Sequence, residues 1–374
     1  MKFGFLIYSY FPYGGQQRDF FRIVQECVKR NHEVVVYTRK WQGDRLDGIE
    51  IKFVPDNSRS RIRVYRQFTR RVIDDLKINP CDIVVGFNKM PGLDVYFAAD
   101  PCFAEKAEHQ RGAYYRFTPR YRHFMEYENA VFGPHSRTRA LILSSRQRQA
   151  FEKYYPGCGS RLYEVPPGIG EDRKPVDATS IRRDLRAELA LNDNDLLVLQ
   201  IGSGFRVKGV DRSLLAVASL PDELQKRVNF LLIGQDRPAR YLRQARRLGI
   251  AQRFRVFPGR DDVPRFLAGG DLLLHPAYSE SAGYVLLEAT IAGLPVLTTS
   301  TCGYASHVLK AGSGLVCGEP FRQSELNDNL RLMLTSDQRD SWRQNGMAYG
   351  KQDILYSMPR VAADYLESFA QAMG

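Results

Sequence analysis

The sequence of 374 residues has few of the features that mark membrane, secreted or disordered proteins. Its six cysteines include no C-x-x-C pair, so we expect reduced thiols and neither a disulfide framework nor a zinc site. No stretch approaches about 18 uninterrupted apolar residues, which excludes a membrane-spanning helix. The apolar start of the chain is too short for a signal peptide and lacks a small-residue cleavage site, so we expect a cytoplasmic protein. Hydrophobic residues make up 44% and charged residues 26%, which is typical of a globular protein and excludes a disordered one.

Acidic residues are in the minority, and most of the imbalance lies in one half of the chain. The formal net charge is +12; residues 1–170 account for +10 of it and residues 171–374 for only +2. The excess of positive charge in residues 1–170 predicts an anionic partner. The candidates are a nucleic acid, an anionic bilayer and a phosphorylated substrate.

Short apolar runs alternate with helical patterns along the chain and predict two α/β domains. Residues 3–8 form an apolar run that is followed by a glycine turn at Gly15, a helical pattern and a second run at 33–37. This order is typical of a parallel sheet. The pattern breaks at 165–168 and resumes with a strand at 196–201. Two such units in succession predict two facing Rossmann-like domains that bind ligands in the cleft between them. The other predicted strands are 49–54, 82–87, 140–143, 229–234, 253–257, 272–274 and 296–298, and the other helices are 62–76, 210–220, 237–248, 263–269 and 282–292.

The strongest chemical signal is a pair of glutamates, Glu280 and Glu288. A helix that begins near Ser281 would place Glu280 at its N-terminus, where backbone N–H groups favour a bound anion. Glu288 follows about two turns later, so we expect both carboxylates on one side of the helix. Taken alone, the pair could equally be a helix cap and a solvated residue. The helix is apolar and lies between two buried strands, however, where a glutamate is costly unless it has a partner.

This E-x7-E segment resembles the signature of retaining glycosyltransferases of family GT4, which have the GT-B fold. Further motifs agree in order and spacing: Gly14-Gly15 after the first strand, Pro166-Pro167-Gly168-Ile169 at the domain junction, Gly202 through Lys208-Gly209, and Gly293-Leu294-Pro295-Val296. Within that family the sequence is most similar to the heptose-directed lipopolysaccharide core glucosyltransferases. The segments that carry this similarity are residues 85–97, Arg120-Tyr121-Arg122-His123, 208–212 and 273–278. The resemblance covers essentially the whole chain.

The resemblance implies the GT-B fold, with an acceptor-binding domain over residues 1–166 and a UDP-sugar-binding domain over residues 167–354. A C-terminal helix at about 355–374 is expected to pack back on the first domain. The implied activity is the retaining transfer of a hexose, with glucose expected, from a UDP-sugar to an inner-core heptose of lipopolysaccharide. A transferase that uses UDP-galactose or a UDP-N-acetylhexosamine, or another lipid or glycan acceptor, is the alternative of the same class. A UDP-sugar epimerase on this scaffold is the alternative of a different class.

The resemblance also assigns catalytic roles to individual residues. Lys208 and Arg173 would neutralise the diphosphate as it leaves, and Glu280 would accept hydrogen bonds from hexose hydroxyls. Asp19 would reach towards the donor sugar or the acceptor. Asp100 is a further candidate near the transferred sugar, with a loop residue or a helix cap as the equal alternative.

Further residues are assigned to the nucleotide. Gly15 would let the backbone approach the diphosphate, and Glu288 would accept hydrogen bonds from the ribose hydroxyls. Many relatives carry arginine where this chain has Ser203, so Arg173 or Arg206 would supply the missing charge. The remaining predicted contacts are Gly202 in the turn, the amides of Ser281, Ala282 and Gly283 on phosphate, and Arg260 and Val263 beside the uracil.

No metal ion and no organic cofactor is expected, because the UDP-sugar is itself the donor substrate. Asp193-Asn194-Asp195 has the D-x-D spacing of metal-dependent transferases, but it precedes a strand, which is typical of a turn. His275 lies before a proline and is expected to be a core or rim histidine and not a base.

Residues 106–128 combine cations with aromatic side chains and predict a surface for an anionic partner. The cations are Lys106, Arg111, Arg116, Arg120 and Arg122, interleaved with tyrosines and phenylalanines. This composition suits single-stranded nucleic acid or a bilayer interface. No RNA-binding motif is present, and the implied lipid-linked acceptor favours the membrane. We therefore expect a peripheral protein on the cytoplasmic face of the inner membrane and no nucleic acid; a solvated charged face is the alternative.

Overall fold

The computed structural model of the protein describes residues 1–12, 14–55, 58–110, 112–173 and 178–373. The chain divides into two compact units, the first formed by Met1–Gly168 with Ile354–Gly374 and the second by Ile169–Asp353. Each unit contains one large parallel β-sheet with helices in the connections between its strands. This confirms the α/β class that the sequence predicts.

The first unit alternates strands and helices from its first residues. Its strands are β1 (Lys2–Leu6), β2 (Ser9–Tyr10), β3 (Glu33–Thr38), β4 (Lys40–Trp41), β5 (Ile49–Phe53), β6 (Ile83–Gly86), β7 (Val95–Phe97), β8 (Arg139–Ile142) and β9 (Leu162–Glu164). Its helices are α1 (Gly15–Lys29), α2 (Arg61–Ile78), α3 (Phe103–Gln110), α4 (Pro119–Phe132), α5 (Ser145–Tyr154) and, from the end of the chain, α15 (Met358–Gln371).

Seven of these strands form one sheet in the order β5-β3-β1-β6-β7-β8-β9. The strand β1 lies inside the sheet and pairs on both sides, Phe3 with Val34 of β3 and with Ile83 of β6. Phe3 and Phe5 are fully buried. A strand of a parallel sheet is covered on both faces, which explains why its sequence is a continuous apolar run.

The last helix of the chain, α15, packs against α1 within the first unit. The guanidinium of Arg30 lies 2.8 Å from Asp364 and 3.1 Å from Glu367. His32 Nε2 lies 2.7 Å from the same glutamate. Two cationic or polar side chains next to α1 therefore hold the acidic face of a helix that is more than 300 residues away in sequence.

The second unit repeats the alternation. Its strands are β10 (Leu196–Ile201), β11 (Val228–Ile233), β12 (Phe254–Phe257), β13 (Leu272–His275), β14 (Val296–Thr299) and β15 (Gly314–Cys317). Its helices are α6 (Ala178–Glu188), α7 (Val210–Ala218), α8 (Asp222–Gln225), α9 (Ala239–Arg247), α10 (Val263–Gly269), α11 (Tyr284–Ile291), α12 (Ala305–Ala311), α13 (Gln323–Thr335) and α14 (Arg339–Tyr349). The strands form a parallel sheet in the order β12-β11-β10-β13-β14-β15.

No helix among the described residues is both long enough and apolar enough to cross a bilayer.

Candidate active site

The strand order of the second sheet reverses between β10 and β13. The chain builds β10, β11 and β12 towards one edge and then returns to place β13, β14 and β15 on the other side of β10. Loops that leave the carboxyl ends of the two central strands diverge at such a point, and ligands of open α/β sheets bind there. Lys208 lies in the loop after β10 and Glu280 in the loop after β13.

Glu280 is the centre of a cluster of three polar side chains, which we call the Glu280 cluster. One carboxylate oxygen, Oε1, contacts Nζ of Lys208. The other, Oε2, lies 2.7 Å from Nε2 of His275. The side chain of His275 is fully buried, and those of Lys208 and Glu280 are only 18% and 16% exposed. Both carboxylate oxygens are thus held, and the orientation of the carboxylate is fixed.

The turn that follows β14 fixes the backbone of this loop. The N–H of Glu280 donates to the carbonyl oxygen of Thr301 (3.1 Å), and its carbonyl oxygen accepts from the N–H of Gly303 (3.0 Å). Glu280 and Cys302 form an isolated parallel bridge as a result. The N–H of Tyr304 donates to the carbonyl oxygen of Ala282 (2.7 Å). A short ladder therefore positions the glutamate before the helix α11 begins.

The cluster is charged at neutral pH. Burial opposes ionisation of Glu280, but the charge of Lys208 and the contact with His275 outweigh it and hold the pKa of this carboxyl well below its usual range. The neighbouring thiol of Cys302 behaves in the opposite way: burial and the Glu280 charge raise its pKa to about 11. The site therefore presents an anionic carboxylate beside an ammonium group and a neutral thiol.

His275, Glu280 and Cys302 are the one set of three potential metal ligands that lie together in the described part of the chain, with ligand atoms within 4.8 Å of one another. The donor set suits a cation poorly. Lys208 already contacts the carboxylate, and a thiol must lose its proton before it binds a metal. The expectation that the protein uses no metal stays a prediction.

The predicted geometry of the two glutamates is wrong in one respect. The helix α11 begins at Tyr284, not near Ser281, because Gly283 has φ of +99° and leaves the helical path. Glu280 therefore lies in an extended segment before the helix, and it does not share a helix face with Glu288. The expectation for His275 was right about its burial, but it missed the contact with Glu280. The position of His275 at the carboxyl end of β13 was the available signal.

Glu288 and Arg173 lie side by side, although 115 positions separate them in the sequence. Glu288 is on α11 and is 8% exposed. Arg173 ends a short 3₁₀ helix, Glu171–Arg173, and its Nε lies 3.9 Å from Oε1 of Glu288 and 3.2 Å from Oδ2 of Asp172. Two opposite charges, both largely removed from solvent, therefore lie next to each other here.

The other nucleotide contacts predicted in the second unit lie in the loops after β10, β12 and β13 or, for Val263, at the start of the helix that follows β12. Gly202 has φ of +132°, the hydroxyl of Ser203 accepts from the N–H of Gln235 (3.0 Å), and Arg206 is exposed. Arg260 forms an ion pair with Asp262 (2.6 Å), directly before Val263 opens α10. The remaining site residues are Ser281, Ala282 and Gly283 in the loop before α11.

Three predicted site residues belong to the first unit. Gly15 is the first residue of α1, and Asp19 lies one turn later on the same helix and is 2% exposed. Asp100 is exposed and follows β7. The roles given to these three residues stay predictions.

Replacing Gly209 by alanine should destabilise the second unit, because the added Cβ would lie 2.0 Å from the carbonyl oxygen of Pro276. Gly249 is a matched control: its φ of +76° is similar to the +70° of Gly209, but no atom would lie within 4 Å of its Cβ. The left-handed conformation should cost either variant about 1–2 kcal/mol. The overlap should cost Gly209→Ala about 1–3 kcal/mol more. Urea unfolding measures both free energies, and equal losses would contradict this close approach of the two loops.

Known proteins resemble the chain over both units. Residues 181–349 match the family model of group 1 glycosyl transferases. The lipopolysaccharide glucosyltransferase WaaG of Escherichia coli K12 is 45% identical over 368 residues, which cover 98% of each chain. A crystal structure of WaaG superposes with a TM-score of 0.90 at 44% identity and covers 97% of this chain and 99% of that one.

More distant relatives match less of the chain or only its fold. A D-inositol 3-phosphate glycosyltransferase of Streptomyces scabiei is 33% identical over 190 residues, which cover 48% of this chain and 42% of the relative. A structure of Anabaena HepE with UDP and glucose has a TM-score of 0.75 at 19% identity, covers 98% of this chain and 100% of that one, and supports the fold alone. The chain therefore belongs to the group 1 glycosyltransferases of the GT-B fold, in the family of the lipopolysaccharide glucosyltransferase WaaG.

Proposed function

We propose that the protein is a retaining glycosyltransferase that moves glucose from UDP-glucose to an inner-core heptose of lipopolysaccharide. The observation that carries the proposal is the 45% identity to WaaG, which extends over 98% of both chains. Relatives named for a different acceptor, such as the D-inositol 3-phosphate glycosyltransferase of Streptomyces scabiei, align with only 48% of this chain. The similarity to WaaG includes both the first unit, to which we assign the acceptor, and the second unit, Ile169–Asp353, to which we assign the donor.

The Glu280 cluster would act on the hexose and the diphosphate. Glu280 is ionised and already oriented by His275, so it can accept a hydrogen bond from a hexose hydroxyl without reorganisation. The ammonium of Lys208 has three N–H donors, and its contact with Glu280 leaves others for the phosphate oxygens. Arg173 would add a second positive charge to the departing diphosphate, beside Glu288, which would accept from the ribose hydroxyls.

In the proposed reaction the acceptor hydroxyl attacks on the face from which UDP departs. The bond from the anomeric carbon to the phosphate oxygen breaks as the bond to the acceptor oxygen forms, and a donor phosphate oxygen takes the hydroxyl proton. The protein then contributes position and charge stabilisation and no covalent intermediate.

Loss of either charge in the Glu280 cluster should slow transfer far more than it affects folding. Glu280→Gln and Lys208→Ala should each lower UDP release from UDP-glucose, with heptose-terminated lipopolysaccharide as acceptor, by about 30- to 1,000-fold. The matched controls are Glu223→Gln and Lys226→Ala, which remove the same charges from an exposed ion pair of the same unit. Thermal melting distinguishes the alternatives: a collapsed melting temperature would make the cluster structural, and near-normal turnover would remove the residue from the mechanism. Wild-type turnover that is faster with UDP-galactose or UDP-N-acetylglucosamine would contradict the choice of glucose.

Turnover should survive a chelator. Lys208 and Arg173 already supply positive charge at the place proposed for the diphosphate, so a divalent ion would be redundant there. UDP release should be the same within about twofold in EDTA and in excess magnesium. Activity that disappears in EDTA and returns with magnesium or manganese would contradict this prediction.

We further propose that residues 106–128 hold the protein on the cytoplasmic face of the inner membrane. Tyr114 and Phe117 are 87% and 72% exposed, and Arg116, Arg120 and Arg122 are exposed nearby. Exposed rings beside cations are typical of a bilayer interface, where rings lie at headgroup depth and arginine meets phosphate. Arg111, which the sequence places in the same segment, lies outside the described residues.

The acidic residues of this segment oppose the attraction only weakly. Glu108 is exposed and accepts a hydrogen bond from the hydroxyl of Tyr154. Glu126 is paired with Arg66 at 2.6 Å, and Glu128 is fully buried, so Arg116, Arg120 and Arg122 outnumber the exposed carboxylates. The exposed cations therefore dominate the outer face, and membrane binding should be reversible and sensitive to salt.

Replacing Arg116, Arg120 and Arg122 by serine should weaken binding to vesicles that contain phosphatidylglycerol. Each cation near an anionic surface contributes about 1 kcal/mol, so the triple variant should lose roughly 100-fold in partitioning. The control replaces three exposed arginines of α9, Arg243, Arg246 and Arg247, and has the same net charge. Vesicle sedimentation at low and high salt measures the effect. Equal binding by wild type and the first triple variant would mean that the segment is only a solvated face.

A further inference from the structure

The sheet of the first unit has its own reversal point, and a pocket lies there. The strand order changes direction between β1 and β6. Tyr8 follows β1 and Asn88 follows β6, and the N–H of Tyr8 donates to Oδ1 of Asn88 (3.0 Å). Both residues line a cavity of about 270 Å³. This volume lies at the lower limit of ligand pockets, roughly 300–1,000 Å³, and suits a single ring better than an extended chain.

The walls of the pocket are aromatic. Tyr8 and Tyr65 stack with ring centroids 4.4 Å apart, and Tyr65 is within 12° of parallel to the ring of His123. Phe103 and Phe124 pack against each other at 5.3 Å, and both line the cavity. Flat apolar faces in this arrangement can pack against the C–H face of a sugar ring.

His123 brings unused hydrogen-bonding capacity to the pocket. Its side chain is 1% exposed, and neither ring nitrogen has a hydrogen-bond partner among the described residues. An unpaired buried polar group is costly, so a pair of them in a pocket wall calls for a partner from outside the chain. Burial, with the charge of Arg66 nearby, lowers the pKa of His123 and keeps the ring neutral. A neutral imidazole offers one donor and one acceptor, and sugar hydroxyls can serve both.

Cations outnumber anions in the lining. Lys89, Lys106 and Arg120 line the pocket, and Asp100 is the one acidic side chain among the described lining residues. Lys89 is paired with Glu128 outside the lining. Glu128 is in turn satisfied by the N–H groups of residues 103 and 104 and by the hydroxyl of residue 155. The pocket therefore keeps a positive excess.

Arg120 is the lining cation best placed to meet a ligand. Its guanidinium lies over the ring of Phe124, 5.6 Å from the centroid. It is exposed and forms no ion pair within the part of the chain that the structure describes. Arginine recognises planar or tetrahedral anions through paired N–H donors, so its free donors suit a carboxylate or a phosphate.

We infer that this pocket is an acceptor subsite that binds a sugar ring carrying an acidic substituent, either a phosphate or a carboxylate. The inference rests on the proposed function, because it takes the ligand to be part of the lipopolysaccharide acceptor. The ring packs against Tyr65, its hydroxyls pair with His123, and the acidic group meets Arg120. Recognition of the acceptor therefore extends beyond the hydroxyl that reacts.

Binding of small probes to the full-length protein tests the chemistry directly. Saturation-transfer NMR titrations would compare mannose 6-phosphate, glucuronate, mannose and glycerol 3-phosphate. We expect at least one of the two acidic sugars to bind about tenfold more tightly than mannose, because a charge-assisted hydrogen bond is added. Glycerol 3-phosphate, which lacks the ring, should bind about tenfold more weakly than that sugar. Equal binding of glycerol 3-phosphate would identify a lipid headgroup site and overturn the inference, as would the absence of specific binding by either acidic sugar.

Two arginines of the same helix allow the pocket to be tested separately from the proposed membrane contact of residues 106–128. Arg120 lines the pocket and Arg122 does not, although both are exposed on α4. Arg120→Ser should weaken binding of the acidic sugar about tenfold and raise the KM for lipopolysaccharide, whereas Arg122→Ser should change probe binding by less than about twofold. Equal effects of the two substitutions would overturn the inference. His123→Phe should weaken mannose and the acidic sugar by the same factor, and unchanged binding in a folded His123→Phe variant would overturn the role of the imidazole.

The experiments can contradict the proposed function and the proposed acceptor subsite independently of each other. A wild type that binds the acidic sugar through Arg120 but transfers no glucose would contradict the proposed function. A wild type that transfers glucose, with neither probe affinity nor acceptor KM affected by Arg120→Ser, would contradict the pocket alone.

Discussion

A parallel sheet that is covered on both faces can present functional side chains only at its ends, and this constraint organises the whole protein. Residues of β1 and β10 are buried nearly throughout, so these strands have no free surface for chemistry. Where the strand order reverses, the loops after two neighbouring strands separate and leave room. Each unit has one such reversal, between β1 and β6 and between β10 and β13. The Glu280 cluster occupies one, and the pocket lined by Tyr8 and His123 occupies the other.

The Glu280 cluster also shows how a buried charge is kept ionised. A carboxylate removed from water is unstable unless other groups replace its hydration. Lys208 replaces this hydration from the loop after β10, and His275 does so from the end of β13. The turn after β14 fixes the backbone of Glu280 through Thr301 and Gly303. The contacts on Glu280 come from the loop after β10, from the end of β13 and from the turn after β14. The geometry of Glu280 therefore depends on the correct pairing of β10, β13 and β14.

Much of the fold was predictable because short apolar runs alternate with helical patterns along the chain, and this order is typical of a parallel sheet. The strand at 196–201 and the helix at 263–269 have the predicted bounds, and the GT-B fold and the glycosyltransferase family are confirmed. The start of α11 was not predictable from periodicity, because the apolar pattern runs through Ala282 while the left-handed Gly283 ends it. The helix α6 was missed because charged residues dominate its sequence and only its buried face, with Leu185 at 0% exposure, is apolar. The contact of His275 with Glu280 depends on a loop geometry that no local pattern encodes.

The helix α4 and the 3₁₀ turn before it have two sides with different surroundings. Inward, Tyr115, Arg120 and His123 line the pocket; outward, Tyr114 and Phe117 are exposed to solvent. Such a segment couples two binding events thermodynamically. A ligand bound on its inner side and a surface bound on its outer side must both order the same backbone. If lipid contact favours the conformation that holds the sugar, then the bound sugar strengthens lipid contact by the same factor. An enzyme built in this way would stay longest on those patches of membrane that still contain unmodified substrate.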